Sequence, residues 1–198
     1  HGIGAALGRS GFDVITCLAG RSARTHQLAQ RGGFRVVSTL DELVVEADIV
    51  LSILVPAQAE RVAQTVARVI STQSVDTPFV DCNAIAPQTT QRIEQQIVNA
   101  GASFIDGSII GPPPGRGLPP RLYVSGQGAH ALSALDCDEI TVKVMGGRVG
   151  DASSIKMCYA ALTKGTATLR VALLTAARAL GVDVALTAEL AASQESRS

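Results

Sequence analysis

Short apolar runs alternate with helix-period segments through most of the chain, and this alternation constrains the fold more than any other feature. Predicted strands lie at residues 13–18, 35–37, 49–55, 78–82, 103–106, 121–125 and 140–146. Predicted helices lie at residues 1–10, 22–31, 40–46, 57–71, 86–100 and 128–135. Pro56 and Pro87 closely follow strands and mark helix starts, where proline is tolerated. Repeated strand–helix–strand units predict an α/β fold, with a parallel sheet covered by helices on both faces.

The pattern changes near Gly150. From Ser153 to Gly181, apolar residues recur at helical spacing with no strand between them. This change predicts a domain boundary, with an α/β domain at residues 1–150 and the beginning of an all-helical domain at 151–198. Residues 166–180 carry more alanine and leucine positions than one short helix can cover, and residues 191–198 form a polar tail. The apolar face is therefore expected to need a partner, either further sequence or a second subunit.

Composition argues against several classes of partner. The chain has 198 residues, of which 46% are hydrophobic and 17% charged, as in globular proteins. Its formal net charge is zero and no basic stretch recurs, which argues against nucleic acid as the main partner. No apolar run is long enough for a membrane helix, and no secretory signal begins the chain, so a cytoplasmic location is expected. The cysteines are scattered singly without zinc-ligand spacing, so neither a metal site nor a disulfide framework is predicted.

Glycines near the start of the chain invite interpretation as the turn that binds a dinucleotide pyrophosphate. No strand precedes them, however, and a glycine motif without its strand is weak evidence. Gly4 also lies only seven residues before Gly11, where the chain turns toward the next strand. A crossover helix beginning there would have about two turns, which is short. We therefore predict that Gly4 lies inside the first helix, and that the first strand and its glycine turn lie upstream of this chain.

The tip of the strand at residues 13–18 indicates a cofactor. In dinucleotide-binding folds an acid at this tip binds the ribose 2′-hydroxyl of NAD(H), whereas an arginine accommodates the 2′-phosphate of NADP(H). The tip of this strand has no acid, but Arg21, Ser22 and Arg24 stand at the start of the following helix, where anions are stabilised. NADP(H) is therefore favoured over NAD(H). The alternative is a solvated basic turn, since arginine is common on surfaces.

Lys156 is the candidate for catalysis. It lies in the early turns of the long helix that follows the last predicted strand. At the seam between a nucleotide-binding sheet and a helical partner, a desolvated lysine is suited to acid–base work. The alternative is an ordinary solvated helix lysine.

With these residues together, the chain resembles the β-hydroxyacid dehydrogenase family, which includes 3-hydroxyisobutyrate and 6-phosphogluconate dehydrogenases and has imine reductases as relatives. It is most similar to a bacterial, phosphogluconate dehydrogenase-like subgroup with a C-terminal domain of unknown function. The stretches that carry the likeness occur in the expected order at residues 19–22, 49–56, 80–87, 104–114 and 147–165. The resemblance implies a Rossmann-type doubly wound sheet. Residues 1–150 would be an N-terminally truncated NADP-binding domain, and residues 151–198 the truncated start of a helical domain.

The resemblance also implies roles for individual residues. Lys156 would take the hydroxyl proton as hydride leaves the adjacent carbon for the nicotinamide, and would return it in the reverse direction. Leu54, Val55 and Pro56 match the strand-end loop under the cofactor. Asn83 matches a polar position near the nicotinamide, although from the residues alone it could equally be a helix-cap or turn asparagine.

Two departures put the usual substrates of the family in doubt. Many relatives have the sequence Asp-Ala-Pro-Val-Ser-Gly-Gly where this chain has residues 106–112, so the substrate-binding serine becomes Ile110, followed by Gly111. Many relatives also have asparagine four residues after the lysine, where this chain has Ala160. A site that loses two hydrogen-bonding groups is expected to bind a different ligand.

Other residues of the long helix could bind that ligand instead. On a continuous helix Tyr159, Thr163 and Lys164 come within reach of the side that carries the lysine. They could contact a polar or anionic group of the substrate. Alternatively, Tyr159 and Thr163 merely pack and Lys164 is solvated.

The leading hypothesis is an NADP-dependent oxidoreductase that acts on the alcohol or carbonyl carbon of a small hydroxy acid. One alternative is an imine reductase; Lys156 argues for the alcohol reaction, because a strong proton-transfer group suits a hydroxyl. The other alternative is a truncated, non-catalytic remnant that binds no cofactor. The expected partners are a small-molecule substrate and, through the helical domain, a second copy of the chain, with neither nucleic acid nor membrane.

Overall fold

Every predicted apolar run contains a strand, in the predicted order. The fold is described from a computed structural model, which covers residues 1–195. The strands are β1 (Ile15–Cys17), β2 (Arg35–Val37), β3 (Val50–Ser52), β4 (Phe79–Asp81), β5 (Phe104–Ile110), β6 (Arg121–Ser125) and β7 (Thr141–Gly146).

The helices also follow the prediction up to residue 160. They are α1 (Gly2–Arg9), α2 (Ala23–Arg31), α3 (Leu40–Glu46), α4 (Ala59–Gln73), α5 (Pro87–Ala100) and α6 (Asp151–Ala160), with 3₁₀ helices at Pro56–Gln58 and Ala129–Leu135. A π-helical segment (Ala161–Gly165) is followed by α7 (Thr166–Ala179) and α8 (Asp183–Glu195). Pro56 and Pro87 begin their helices, as predicted.

The strands form two sheets. β1 and β2 pair in parallel, and a second sheet has the order β3-β4-β5-β6-β7. Within the second sheet β5 and β6 are antiparallel while the other pairs are parallel, so the expectation of a wholly parallel sheet is wrong at this pair. The reason is the connection at residues 111–120, which is rich in glycine and proline and too short for the helical crossover that parallel strands need.

Both faces of the larger sheet are buried. On one face Phe79 and Phe104 pack with helices α3, α4 and α5, and their rings stack with centroids 6.3 Å apart. On the other face Val80 and Ile105 pack with α1 and with the 3₁₀ helix Ala129–Leu135. Successive residues of β4 and β5 thus point into opposite apolar layers, because side chains alternate along a strand. This arrangement confirms the predicted doubly wound α/β fold.

The first helix contains Gly4, as predicted. A Cβ atom built at this position would lie 2.6 Å from Cζ of Phe34 and 3.3 Å from Cγ1 of Val14. Real side chains do not approach so closely, so the packing of α1 on the Phe34 ring accounts for a glycine here.

The chain divides into two compact units, His1–Lys156 and Met157–Ser198. The division lies beyond the predicted boundary near Gly150 because the first turns of α6 are hydrogen-bonded to β5 and β6. Residues 191–195 of the predicted polar tail belong to α8, and residues 196–198 lie outside the described residues. Across residues 1–195, none of the helices has the combination of length and apolar character that a membrane crossing requires.

The helical unit does not continue as one uninterrupted α-helix, contrary to the prediction for residues 153–181. The π-helical segment Ala161–Gly165 separates α6 from α7. Within it the hydroxyl of Thr163 donates to the carbonyl oxygen of Tyr159 at 2.7 Å. Gly165 is a poor helix former, which weakens regular α-helical bonding at this point.

Candidate functional site

A row of buried polar residues crosses the larger sheet at the carboxyl ends of β3 and β4 and continues onto β5 and β6. Ser52, Asp81 and Asp106 are register partners on these strands, and Ser125 continues the row on β6. Their side chains are almost wholly buried, with 3%, 1%, 0% and 0% exposure. We call these four residues the polar row. Ligands of open α/β sheets bind just beyond the carboxyl ends of the parallel strands, so the polar row underlies the expected site.

Asn83 connects the polar row to the loop that follows β3. Its Oδ1 accepts a hydrogen bond from the backbone N–H of Leu54 at 2.7 Å. Its Nδ2 donates to Oγ of Ser52 and to Oδ2 of Asp81, each at 3.0 Å. Both amide hydrogens are therefore used within the protein, and Asn83 holds the loop in place. Its location beside a bound nicotinamide remains a prediction.

The loop that Asn83 holds presents apolar side chains to solvent. Leu54 is half-buried, Val55 is 61% exposed, and Pro56 is exposed at the start of a 3₁₀ helix. An exposed apolar loop at the carboxyl end of a strand suits contact with the flat face of a ligand ring.

Arg21, Ser22 and Arg24 lie in the turn from β1 into α2. The N–H of Arg21 donates to the carbonyl oxygen of Leu18 at 3.0 Å, and Oγ of Ser22 caps α2 by accepting from N–H of Thr25. The two arginines are exposed, and within residues 1–195 neither forms an ion pair with a carboxylate. Positive charge without a carboxylate partner at a helix N-terminus suits an anion.

A cavity of about 1120 Å³ lies between β1 and β3 and is lined by residues of both strands. Arg21 and Leu54 are the predicted cofactor-binding residues in its wall. Gln58 and Arg61, joined by a 2.8 Å hydrogen bond from Nε to Oε1, also line the cavity and were not predicted.

Lys156 is held against β5. It is half-buried, and its Nζ donates to the carbonyl oxygen of Ile109 at 2.5 Å. The helix that carries it begins at the carboxylate of Asp106, whose Oδ2 accepts from the N–H groups of Gly150 (3.0 Å) and Ser153 (2.9 Å). The Asp106 Oδ1 accepts from the Ser153 hydroxyl at 2.6 Å. Asp106 and Ile109 of β5 therefore hold the start of α6 and the amine of Lys156 in place.

Ser125 and Thr90 complete this cap. Oγ of Ser125 donates to Asp106 at 3.1 Å and accepts from the N–H of Ala152 at 3.0 Å. The hydroxyls of Thr90 and Ser153 lie 3.0 Å apart. The N–H groups at the start of α6, which have no partner within the helix, are therefore bound by the polar row.

Burial dominates the electrostatics of the two buried acids. It raises the pKa of Asp81 and of Asp106 above the ordinary value of 3.8. Hydrogen bonds from Asn83 to Asp81, and from Ser153 to Asp106, oppose this rise without cancelling it. Burial also raises the pKa of the Cys82 thiol, so this thiol stays protonated.

These shifts predict how stability depends on pH. Because the carboxyl pKa is higher in the folded state, the folded protein binds more protons than the unfolded chain just above pH 3.8. The contribution of these acids to the free energy of unfolding therefore falls as the pH rises through the folded-state pKa. We expect the free energy of unfolding in urea to fall less between about pH 4 and pH 7 in Asp81→Asn than in the unchanged protein. An equal fall in both proteins would contradict a raised carboxyl pKa at this position.

The predicted substrate residues of the first unit lie at the end of β5. Ile110 is 2% exposed and belongs to the apolar interior. Gly111 has a φ of +128°, and a Cβ atom there would lie 3.1 Å from Cα of Pro120. Both the left-handed backbone and the close approach of Pro120 favour glycine at this position. A substrate contact by either residue remains a prediction.

The predicted substrate residues of the helical unit lie at the end of α6 and in the π-helical segment. Tyr159 is 46% exposed and Ala160 half-buried at the end of α6, while Thr163 and Lys164 are exposed in the π-helical segment. Placing Thr163 and Lys164 within reach of the lysine assumed α-helical spacing, which the π-helical segment interrupts, so that argument is wrong. Their role in substrate binding remains a prediction.

The sequence prediction missed the polar row as a unit. Its signal was present, because polar residues interrupt or end apolar runs at Ser52, Asp81, Asp106 and Ser125. A buried polar residue is unusual, so a polar residue within a buried apolar run is a better indication of a functional or structural role than another apolar residue.

Comparison with known proteins gives a family match and related chains. Residues 2–137 match the family of the NAD binding domain of 6-phosphogluconate dehydrogenase. An uncharacterised 28.5 kDa protein of Methanothermus fervidus, from the 5′ region of a 7S RNA, is 29% identical over 170 residues. The match covers 86% of this chain and 64% of that protein, so the chain spans just under two thirds of this relative.

Solved structures share the fold. A conserved protein of unknown function, described as structurally similar to 3-hydroxyacid dehydrogenases, superposes with a TM-score of 0.80 at 29% identity, over 98% of this chain and 72% of that one. An imine reductase variant from Myxococcus stipitatus in complex with NAD⁺ gives 0.78 at 20% identity, over 98% and 67%. A Mycobacterium tuberculosis 3-hydroxyisobutyrate dehydrogenase with L-serine gives 0.71 at 19%, over 91% and 62%. The last two, at such low identity, show the fold alone.

Proposed function

The chain belongs to the family of the NAD-binding domain of 6-phosphogluconate dehydrogenase, as its sequence predicted, and on this premise we propose that the protein is an NADP-dependent oxidoreductase. It transfers hydride between the nicotinamide and the alcohol or carbonyl carbon of a small hydroxy acid. The observation that carries this proposal is the position of Lys156, held on β5 by the carbonyl oxygen of Ile109 beyond the carboxyl ends of β3 and β4.

Residues of the turn after β1 and of the loop after β3 fit a phosphorylated dinucleotide. Arg21, Ser22 and Arg24 offer two exposed cations and a helix N-terminus to a 2′-phosphate, and no acid at the tip of β1 would repel it. The loop of Leu54, Val55 and Pro56 offers an apolar surface to the half of the cofactor that bears the nicotinamide. The nicotinamide, when bound, supplies the hydride chemistry.

The contribution of the chain to the reaction is proton transfer. Lys156 holds a proton at Nζ and delivers it to the substrate oxygen during reduction, or accepts it from the hydroxyl during oxidation. The carbonyl oxygen of Ile109 orients the amine, and the half-buried position of Lys156 limits exchange with bulk water. Positioned groups of this kind typically contribute about 10²–10⁴-fold to the rate.

Reduction of a C=N bond is a second candidate. Ile110 is buried and Ala160 has no polar side chain, so the two polar positions of the hydroxy-acid relatives are apolar in this chain. A less polar site favours an imine over a hydroxy acid. Lys156 favours the first candidate, because an ammonium group beside a protonated imine is repelled by it.

A substrate screen tests the proposed function. The full-length protein would be assayed with NADP⁺ and 3-hydroxyisobutyrate, 3-hydroxypropionate or L-serine, and with NADPH and 1-pyrroline. We expect cofactor-linked turnover of a hydroxy acid. Turnover of 1-pyrroline alone would establish the second candidate, and no turnover of any compound would favour the non-catalytic alternative.

We propose that the helical unit associates with a second copy of the chain. Large apolar side chains of this unit are 58–79% exposed, namely Leu162, Leu169, Val171, Leu173, Leu180 and Val184. Apolar surface of this extent in one small unit is typical of an interface.

This proposal predicts a dimer that polar substitutions weaken. Sedimentation equilibrium should show a dimer, and Leu169→Asp with Leu173→Asp should raise its dissociation constant at least about tenfold, because burying a carboxylate in an apolar interface is costly. Leu118→Asp is the control, since Leu118 is 76% exposed in the other unit. A monomeric unchanged protein, or an equal effect of the control, would contradict the proposal.

A further inference from the structure

The polar row contains two acids that lie side by side but bind different parts of the site. Asp81 and Asp106 are register partners on β4 and β5, and their side chains are 1% and 0% exposed. A buried carboxylate is retained at a cost, and that cost is offset when its oxygens are fully hydrogen-bonded. What each carboxylate binds therefore indicates what it stabilises.

Asp106 binds the start of α6. Its oxygens accept from two backbone N–H groups, Gly150 and Ser153, and from the hydroxyls of Ser125 and Ser153. Ser153 and Lys156 are three residues apart and so lie on the same face of the helix. Asp106 and Ile109, which bind them, are three residues apart on β5. The strand therefore sets both the start of α6 and the position of the lysine amine.

Asp81 binds Asn83 and, through it, the loop that follows β3. Its Oδ1 accepts from the backbone N–H of Asn83 at 2.8 Å, and its Oδ2 accepts from Nδ2 of Asn83 at 3.0 Å. With its amide fixed in this way, Asn83 accepts from the N–H of Leu54. Asp81 is thus connected to the loop at the end of β3 and has no hydrogen bond to α6 among the described residues.

We propose that the two acids are positioning residues with separate tasks: Asp106 sets the place of Lys156, and Asp81, through Asn83, sets the loop of Leu54. The assignment to proton transfer and to cofactor binding rests on the proposed function. Each carboxylate is needed as an acceptor for at least two donors, and an asparagine has only one acceptor oxygen. Asparagine at either position keeps the size of the side chain but accepts at only one oxygen, so at least one of the present hydrogen bonds to the carboxylate is lost.

The test compares Asp106→Asn with Asp81→Asn, using as probes NADP⁺ and whichever of 3-hydroxyisobutyrate, 3-hydroxypropionate and L-serine is oxidised fastest in the substrate screen. We expect Asp106→Asn to lower kcat at least about tenfold while the KM for NADP⁺ stays within about threefold. We expect Asp81→Asn to act mainly on the KM for NADP⁺, raising it about tenfold. Thr77→Val is the matched control for a lost buried hydrogen bond, since Oγ1 of Thr77 donates to the carbonyl oxygen of Val44 at 2.8 Å, away from both groups.

A double variant separates positioning from general loss of stability. If Asp106 acts through Lys156, Asp106→Asn should lower kcat no further once Lys156 is methionine. Two substitutions that remove the same proton-transfer function do not have additive effects on kcat. Independent, multiplying losses would overturn the proposal. The same kinetic pattern in Asp106→Asn and Asp81→Asn would overturn it as well.

Amide hydrogen exchange separates failure of this proposal from failure of the proposed function. If Lys156→Met retains turnover, or the probe is not turned over, the proposed function fails and the exchange data decide the positioning. Selective loss of protection at residues 151–156 in Asp106→Asn, and at residues 54–55 in Asp81→Asn, supports separate tasks. Equal loss in both segments for both variants overturns them.

Discussion

Replacing Lys156 with methionine is expected to lower turnover about a hundredfold or more, with affinity for NADPH nearly unchanged. Methionine has a similar length but carries no proton, so the variant removes proton transfer at the substrate oxygen while leaving the backbone of α6 in place. The affinity should persist because the predicted cofactor residues belong to the loop after β3 and the turn after β1. The measurements are steady-state kcat and the Kd of NADPH by titration.

The other two lysines are the controls for this variant. Lys143→Met changes an exposed residue of β7 and should leave turnover unchanged. Lys164→Met should raise the substrate KM if this residue binds an anionic group, and should have no effect if it is solvated. Full turnover of Lys156→Met at every pH tested would contradict the proposed proton transfer and would favour the imine reductase candidate.

Replacing Arg21 with alanine is expected to weaken NADPH binding by about 1–3 kcal/mol, the range for a charge-assisted hydrogen bond, and to leave NADH binding almost unchanged. The guanidinium lies at the N-terminus of α2 without a carboxylate partner among residues 1–195, so its charge is available to a 2′-phosphate that only NADPH carries. Titration with each cofactor measures the difference.

A matched control lies at the other end of the same helix. Arg31 is exposed in the last turn of α2, and Arg31→Ala should change the affinity for neither cofactor. Equal losses for NADPH and NADH in Arg21→Ala would show that this arginine does not recognise the 2′-phosphate.

The course of the chain could be predicted because hydrophobic period and turn residues are local properties. Each strand and most helices follow from them, down to the helix starts at Pro56 and Pro87. The direction of β6 depended on the shortness of the loop before it, which the sequence shows but which the prediction did not use. The π-helical segment Ala161–Gly165 is a local change of backbone hydrogen bonding within a helical run, and apolar spacing does not reveal it.

The site was predicted as separate residues rather than as a connected structure. Arg21 and Lys156 could be selected because a charge at a strand tip or early in a helix has a direct chemical meaning. The pairing of Asp81 with Asp106 depends on the register between two strands, and the contact of Asp106 with Ser153 joins residues far apart in sequence. Local sequence patterns do not encode such tertiary pairing. The hydrogen bonds that hold the start of the helix carrying Lys156 could therefore be identified only from the fold.

Transfer of deuterium from NADPH to a carbonyl substrate tests the central claim most directly. The full-length protein would be incubated with NADPH deuterated at either face of the nicotinamide C4 and with the carbonyl form of the hydroxy acid that the substrate screen identifies. We expect deuterium at the new carbinol carbon from one face of the nicotinamide only, at a higher rate than with deuterated NADH. If NADPH is not consumed, or if the alcohol carries no deuterium from either face, the protein is not a hydride-transferring enzyme of this type.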